Sequence, residues 1–328
     1  MNKKNILKFI TGTIMLGVLV GCGGEKKEAN GELDRSKQFV TVATGPTSGL
    51  YYPIGGAFSK VIKDLGYKSS AQATGASVEN ISLILNGGAD LAITMSDSVA
   101  QAYDAFGAYE GKEPAKNLRC LMGLYPNYVQ LVTTTKTGIK KFTDLKGKRV
   151  GVGAPNSGVE LNARMMYEAH GMTYADSKID YLNYGEAIDQ MKNGLVDAVF
   201  VTSGIPNATI MELGTVAKTV LVPIEGEGFK RLQEKYPFFV AAEIPADTYD
   251  TDGPVQTATV RNIMLIREEL PEDVVYDITK GIFEHMEGIK ASHATSEKHI
   301  SLENSQIGVQ IPFHPGAEKY YREKGIIK

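Results

Sequence analysis

Short apolar runs and longer amphipathic stretches alternate along this chain. Val40–Ala43 reads as a strand, and Gly45-Pro46-Thr47-Ser48-Gly49 as a turn. Ala57, Phe58, Val61, Ile62 and Leu65 then recur at the spacing of one helix face. The same signals return later: Arg149–Val152 is a short strand, Pro155-Asn156-Ser157-Gly158 a turn, and Leu161, Met165 and Met166 one helix face. A second echo lies downstream of each. "LNGGADLAIT" (85–94) matches "KNGLVDAVFV" (192–201). Asn86-Gly87 and Asn193-Gly194 end helices, since Asn and Gly tolerate the left-handed cap, and Asp90 and Asp197 open buried strands. The turns are offset by 109 residues and the caps by 107. Such a period indicates two lobes on one βαβ plan, not a short tandem repeat.

Two longer apolar stretches bracket the second lobe: "CLMGLYPNYVQLVTT" (120–134) and "QTATVRNIMLI" (256–266). They are expected to cross between the lobes. Lobe one is then residues 39–130 plus 257–328, and lobe two is residues 131–256. This is an α/β protein with a hinge of two crossing strands, and its 328 residues exceed the size at which one core usually stops growing. "KFTDLKGKRVGV" opens lobe two with a helical turn over Phe142–Gly147. "LPEDVVYDITKGIFEHM" reads as a helix with Pro271 in its first turn.

The paired Pro-x-Ser-Gly turns carry the candidate chemistry. A glycine-rich turn at a helix mouth can hold an anion, because the first N–H groups are unpaired and the dipole is positive there. The same turn can serve only as an N-cap. Two turns facing one cleft, at the carboxyl ends of strands, favour the anion. "TGASVEN" (74–80) is a further strand-to-helix junction, with Ser77 as cap or ligand contact. Ser96 and Asp97 in "TMSDSVA" are expected to cap the next helix, with receipt of a ligand ammonium as the alternative for Asp97. Tyr51, Tyr52, Tyr125 and Tyr128 can wall the cleft, though at least two belong to the core.

The N-terminus changes the setting. Lys3, Lys4 and Lys8 precede an apolar stretch, Ile10–Val20, too short to span a membrane. It ends in Leu19-Val20-Gly21-Cys22, which resembles a lipobox; Cys22 would be acylated and become the new N-terminus. Residues 1–21 are then a lipoprotein signal peptide and residues 22–38, with Leu33 their one large apolar residue, a flexible tether. Loss of three lysines and no acid takes the formal charge from −3 to −6, which argues against nucleic acid as a partner. Cys120 is left as the one thiol, expected in a strand as a buried apolar residue.

Enzyme motifs are missing. None of His170, His285, His293, His299 and His314 pairs with another at helical metal spacing, and there is no H-E-x-x-H. Neither serine turn fits G-x-S-x-G, and "GPTSG" lacks the lysine of a P-loop. No metal, cofactor or catalytic residue is expected, and a tethered hydrolase is the weakest alternative.

The blocks "TGPTSGLYYPIGGA", "TGASVENISLILNGGADLAI", "DLKGKRVGVGAPNSG", "VDAVFVTSGIP" and "IPFHPGAEKYYREKG" occur in this order. They resemble the TAXI family, the extracytoplasmic solute receptors of tripartite ATP-independent periplasmic (TRAP) transporters. The resemblance runs from about Phe39 to Lys328. It implies a two-lobed type II periplasmic-binding-protein fold and a monomer that delivers a small anionic or zwitterionic, glutamate-like solute to a membrane permease. The family's cleft motifs fall on Thr44, Gly45, Ser48, Gly49 and Tyr51, then Thr74, Gly75, Ser77 and Asn80. In lobe two they fall on Asn156, Ser157, Gly158, Thr202, Ser203 and Pro206. Ser96, Asp97 and Tyr128 complete the candidate set, and Asn127 stands where relatives often carry glutamate. The alternative is a receptor of an ATP-driven importer for a pyrimidine or sulfonate, which would share fold and clamp.

Overall fold

The computed structural model describes residues 33–328; the signal-peptide and lipobox reading of residues 1–22 lies outside them. In chain order the elements are β1 (Phe39–Ala43), α1 (Tyr51–Asp64), β2 (Lys68–Gln72), α2 (Ser77–Leu85), β3 (Leu91–Met95), α3 (Ser96–Asp104) and β4 (Arg119–Thr134). Then come β5 (Arg149–Gly151), α4 (Gly158–Ala169), β6 (Lys178–Asp180), α5 (Tyr184–Lys192), β7 (Ala198–Ser203), α6 (Ala208–Gly214), β8 (Thr219–Val222), α7 (Gly226–Lys235) and β9 (Val240–Ile244). The chain closes with β10 (Val255–Ile266), α8 (Glu272–Glu284), α9 (Glu287–Lys290), α10 (Ala294–His299) and α11 (Pro315–Glu323).

Strand order is β2-β1-β3-β10-β4-β7-β5-β6, with β8 also on β4 and β9 on β10. The two long strands serve both ends of this sheet. Asn262–Ile266 of β10 pairs with β3, while Val255–Thr259 pairs with β9. β4 pairs with β10 along most of its length, and from Tyr128 onward it pairs with β7 and β8. The β4–β10 ladder shifts register between Arg261 and Ile263 and again between Met264 and Leu265; such irregularities add twist and break regular pairing. This is the two-lobed type II periplasmic-binding-protein fold.

Each lobe has its own apolar core. One packs Val40, Val42, Ile54, Phe58 and Ile62 with Ile278, Tyr320 and Tyr321 of the C-terminal helices. The other packs Val150, Val152, Met166, Tyr167 and Phe200. The caps behave alike in both: Asn86 and Asn193 end α2 and α5, and Gly87 and Gly194 each have φ of 69°. The aspartates after them are clamps. Asp90 Oδ2 accepts the Thr41 N–H at 2.9 Å and binds Arg267, while Asp197 Oδ2 accepts the Arg149 N–H at 2.8 Å and Asp197 Oδ1 pairs with the Arg149 guanidinium at 2.9 Å. The guanidinium beside Asp197 holds its carboxyl below the usual range. Asp197→Ala is expected to cost about 2 kcal/mol, the worth of a charged hydrogen bond, in urea unfolding at pH 7. In the parent this contribution is lost as pH falls through the lowered carboxyl pKa.

Several local expectations are corrected. Leu33–Gln38, assigned to the tether, is docked: Leu33 packs on the first core and Arg35 pairs with Asp277 at 2.6 Å. The helical turn is a 3-10 turn over Phe142–Leu145, and Pro271 is the N-cap of α8 instead of a first-turn residue. Cys120, by contrast, lies as expected: it is fully buried in β4, where burial pushes its thiol up.

Candidate functional site

The two Pro-x-Ser-Gly turns are not equivalent. In lobe two, Ser157 is the N-cap of α4 and its Oγ accepts the Glu160 N–H at 3.2 Å. In lobe one, α1 starts two residues later in the motif; its N-cap is Leu50, with no side-chain cap, and Ser48 does not cap. Ser48 Oγ is buried without a partner among the described residues, and a Cβ at Gly185 of α5 would lie 3.8 Å from it. Capping uses only a lone pair of the Ser157 hydroxyl, so its O–H stays free to donate.

Between the lobes lies a cavity of about 40 Å³. Lobe one supplies Gly45, Pro46, Gly49, Leu50, Tyr51, Gly75, Ala76 and Met95; lobe two supplies Ala154, Ser157, Val159, Asn183, Tyr184, Thr202 and Ser203; Asn127 of β4 lines it where the strands cross. The mouths of α1 and α4 therefore face one space, each with unpaired first-turn N–H groups. Among the described residues, no Asp, Glu, Lys, Arg or His lines this cavity. Thr202 Oγ1 and Asn127 Oδ1 are buried there without a hydrogen-bond partner among the described residues. Ser157, Asn183 and Ser203 add polar groups to a wall that is otherwise glycine, apolar or aromatic, and the Tyr184 hydroxyl is fixed by donating to the Thr202 carbonyl at 2.7 Å.

Of the candidate residues, Gly45, Gly49, Tyr51, Gly75, Ser157, Thr202 and Ser203 come together on this cavity. Others support it from behind. The Thr44 hydroxyl donates to the Gln72 carbonyl at 2.6 Å, and Asn80 Nδ2 donates to the carbonyls of Thr44 and Ile93 at 2.6 and 2.7 Å. Thr74 Oγ1 lies 2.7 Å from Asn80 Oδ1. Ser77 does not cap α2: Ala76 is the N-cap, at φ of 77°, and Ser77 Oγ accepts the Met95 N–H at 3.0 Å. Ser96 and Asp97 do not cap α3 either; Met95 is its N-cap and both lie inside the first turn. Tyr128 is half-buried against the lobe-two core, Tyr125 is wholly buried in the lobe-one core, and Tyr52 is exposed. Pro206 follows Ile205 through a cis peptide and is not on the cavity wall.

Three candidates stitch the seam between lobes. The Asn156 carbonyl accepts the Glu79 N–H at 3.3 Å, with Asn156 itself at φ of 58°, a conformation Asn tolerates. Gly158 backs onto Met95 and Ser77, so closely that a Cβ there would lie 2.4 Å from Met95 Cε and 2.8 Å from Ser77 Oγ. Asp97 Oδ2 accepts Asn162 Nδ2 of α4 at 2.8 Å. Complete burial pushes the Asp97 carboxyl up to about 7, against the hydrogen bonds from the Ser98 N–H and Asn162 that pull it down.

Sequence reasoning missed Asn183 and Tyr184. Their signal was Asn183-x-x-Glu186, a capping box in which Asn183 Oδ1 accepts the Glu186 N–H at 3.1 Å. It placed a third helix mouth at the cleft, where no Pro-x-Ser-Gly turn marked it.

Solved structures share this architecture at low identity. A protein from Bordetella bronchiseptica RB50 is 16% identical, with 88% of this chain and 89% of that chain covered and a TM-score of 0.52. PhnD1 from Prochlorococcus marinus, in complex with methylphosphonate, is 12% identical, covering 88% and 99%, with a TM-score of 0.53. The binding protein component of an ABC phosphonate transporter from Pseudomonas aeruginosa is 13% identical, covering 78% of each chain, with a TM-score of 0.51. Residues 42–325 match the NMT1-like family, spanning both lobes and both crossing strands, and the chain belongs to that family.

Proposed function

We propose that this protein is an extracytoplasmic solute receptor. It captures a small monoanionic solute between its lobes and presents it to a membrane importer. The observation that carries this reading is the cavity at which the α1 and α4 helix mouths and unpartnered hydroxyl and amide oxygens converge, with no Asp, Glu, Lys, Arg or His on its wall among the described residues. Each helix N-terminus is equivalent to roughly half a positive charge; the α5 mouth is already met by the Glu186 carboxylate, which accepts the Asn183 N–H at 3.0 Å, so the α1 and α4 mouths together suit about one negative charge. A dianion would be left partly uncompensated in a desolvated space. A carboxylate or sulfonate head fits this better than a doubly ionised phosphonate.

Lobe one (39–130 plus 257–328) is taken to rotate on lobe two (131–256) about the register shift near Asn262, and the chain to act as a monomer anchored through lipid on Cys22. For the importer, the fold shared with the phosphonate-transporter component supports an ATP-driven permease. The ordered blocks that resemble TAXI receptors support a TRAP permease, and a glutamate-like solute is the finer form of that second reading. A neighbouring ATPase gene separates the two.

The test is mass spectrometry of small molecules released on denaturing the purified protein, followed by calorimetric titration of the solute found. Ser157→Ala, which removes a donor and a cap together, is expected to weaken binding about 10- to 100-fold and to lower stability by ~1 kcal/mol. A protein that releases no solute, and binds none in a thermal-shift screen of small acids, is not a receptor of this kind.

A further inference from the structure

Asn127 sits where the crossing strands pass the cavity, and it is 1% exposed. The orientation of its amide is decided by a chain of hydrogen bonds that ends on the backbone. Asn262 Nδ2 donates to the Tyr125 carbonyl at 3.0 Å, and a carbonyl can only accept. Asn262 Oδ1 is therefore an acceptor; it takes the Tyr51 hydroxyl at 2.6 Å and Asn127 Nδ2 at 3.1 Å. What remains of Asn127 is Oδ1, an acceptor buried without a partner among the described residues. Native interiors rarely leave such an atom unmet. Since no carboxylate among the described residues lines the cavity, its wall there offers neutral acceptors and nothing to balance an ammonium.

We propose that Asn127 is a specificity-determining residue: its Oδ1 accepts a hydrogen bond from a neutral N–H or O–H group of the solute, whose anionic end lies at the helix mouths. The assignment rests on the receptor reading above and narrows it to small monoanions that carry a neutral donor, such as amido or hydroxy acids.

A cavity of about 40 Å³ calls for small probes, matched in shape. Oxamate and pyruvate differ by an amino group in place of a methyl; lactate and propionate differ by a hydroxyl. Calorimetric titration of each pair is expected to show the donor-bearing member at least about tenfold tighter, because an acceptor left unmet penalises the analogue. In Asn127→Leu, similar in size but without the acceptor, the ratio is expected to fall below about threefold. The ratio is insensitive to general weakening from the lost Asn262 contact. If that variant does not fold, the parent's two pairs decide alone. Equal affinity within the pairs, or an unchanged ratio in Asn127→Leu, overturns the assignment. So does failure of all four probes to bind. In that event, a different solute released from the purified protein leaves the receptor reading standing, while no release removes both.

Discussion

Gly158→Val is expected to weaken solute capture roughly 5- to 150-fold while the protein still folds. The glycine is at the first position of α4, and its missing side chain lets Met95 and Ser77 of the opposite lobe close over it, with a Cβ only 2.4 Å from Met95 Cε. Met95 Cε can swing aside, but Ser77 Cβ at 3.0 Å belongs to a fixed helix start. Overpacking of this kind costs about 1–3 kcal/mol; on the proposed rotation of the lobes it falls on the form in which Gly158 meets Met95 and Ser77, and so subtracts directly from binding. The backbone itself is indifferent, because Gly158 is not among the positive-φ residues. Calorimetry with the protein's own released solute, and small-angle scattering with and without it, check this. Unchanged affinity with a normal decrease in radius would mean that the lobes do not need this contact.

The second large effect is a pH dependence centred on Asp97. Its carboxyl is buried between α3 and α4, with Asn162 as its side-chain partner and Oδ1 unmatched. The Tyr109 and Tyr51 hydroxyls are the titratable groups that feel its charge, and neither is cationic. Its folded pKa is about 7 against an ordinary 3.8. The folded state therefore holds a proton that the unfolded chain releases, and stability falls as pH rises from about 4 through 7. The loss is at most about 4 kcal/mol, because each tenfold difference in proton affinity between the two states is worth about 1.36 kcal/mol. Asp97→Asn keeps an oxygen for Asn162 and has no charge to desolvate. It is expected to melt higher than the parent at pH 8 and level with it at pH 4. Thermal melts from pH 4 to 8 measure this; parallel curves for parent and variant would show that Asp97 carries no such linkage.

Both effects sit on the seam, which is where reading the chain alone was weakest. The helix faces of α1 and α4, the left-handed caps at Gly87 and Gly194, and the two crossing strands were all legible, because each rests on local periodicity or on the chemistry of one or two residues. The roles of Ser48, Ser77 and Asp97 were not. Pro46-Thr47-Ser48-Gly49 and Pro155-Asn156-Ser157-Gly158 look alike in one dimension, yet α1 begins at Tyr51 and α4 at Gly158. That two-residue difference decides which serine caps a helix. Ser77 resembles a cap by type, but its Oγ is taken by the N–H of Met95, eighteen positions away.

What the chain determined by itself is the architecture: two βαβ lobes, hinged by long apolar strands, with glycine and hydroxyl turns at the strand ends. These follow from hydrophobic spacing and turn chemistry, which act over a few residues. What only the tertiary structure decided is which polar atoms are left unmet inside the cleft. Asn127 has a free acceptor because Asn262, 135 positions away, orients its amide. The Asp97 carboxyl is pushed up because it is wholly buried, against the pull of its hydrogen bond from Asn162 of α4. Satisfaction and burial are properties of a surrounding shell drawn from distant parts of the chain, and no local pattern encodes them.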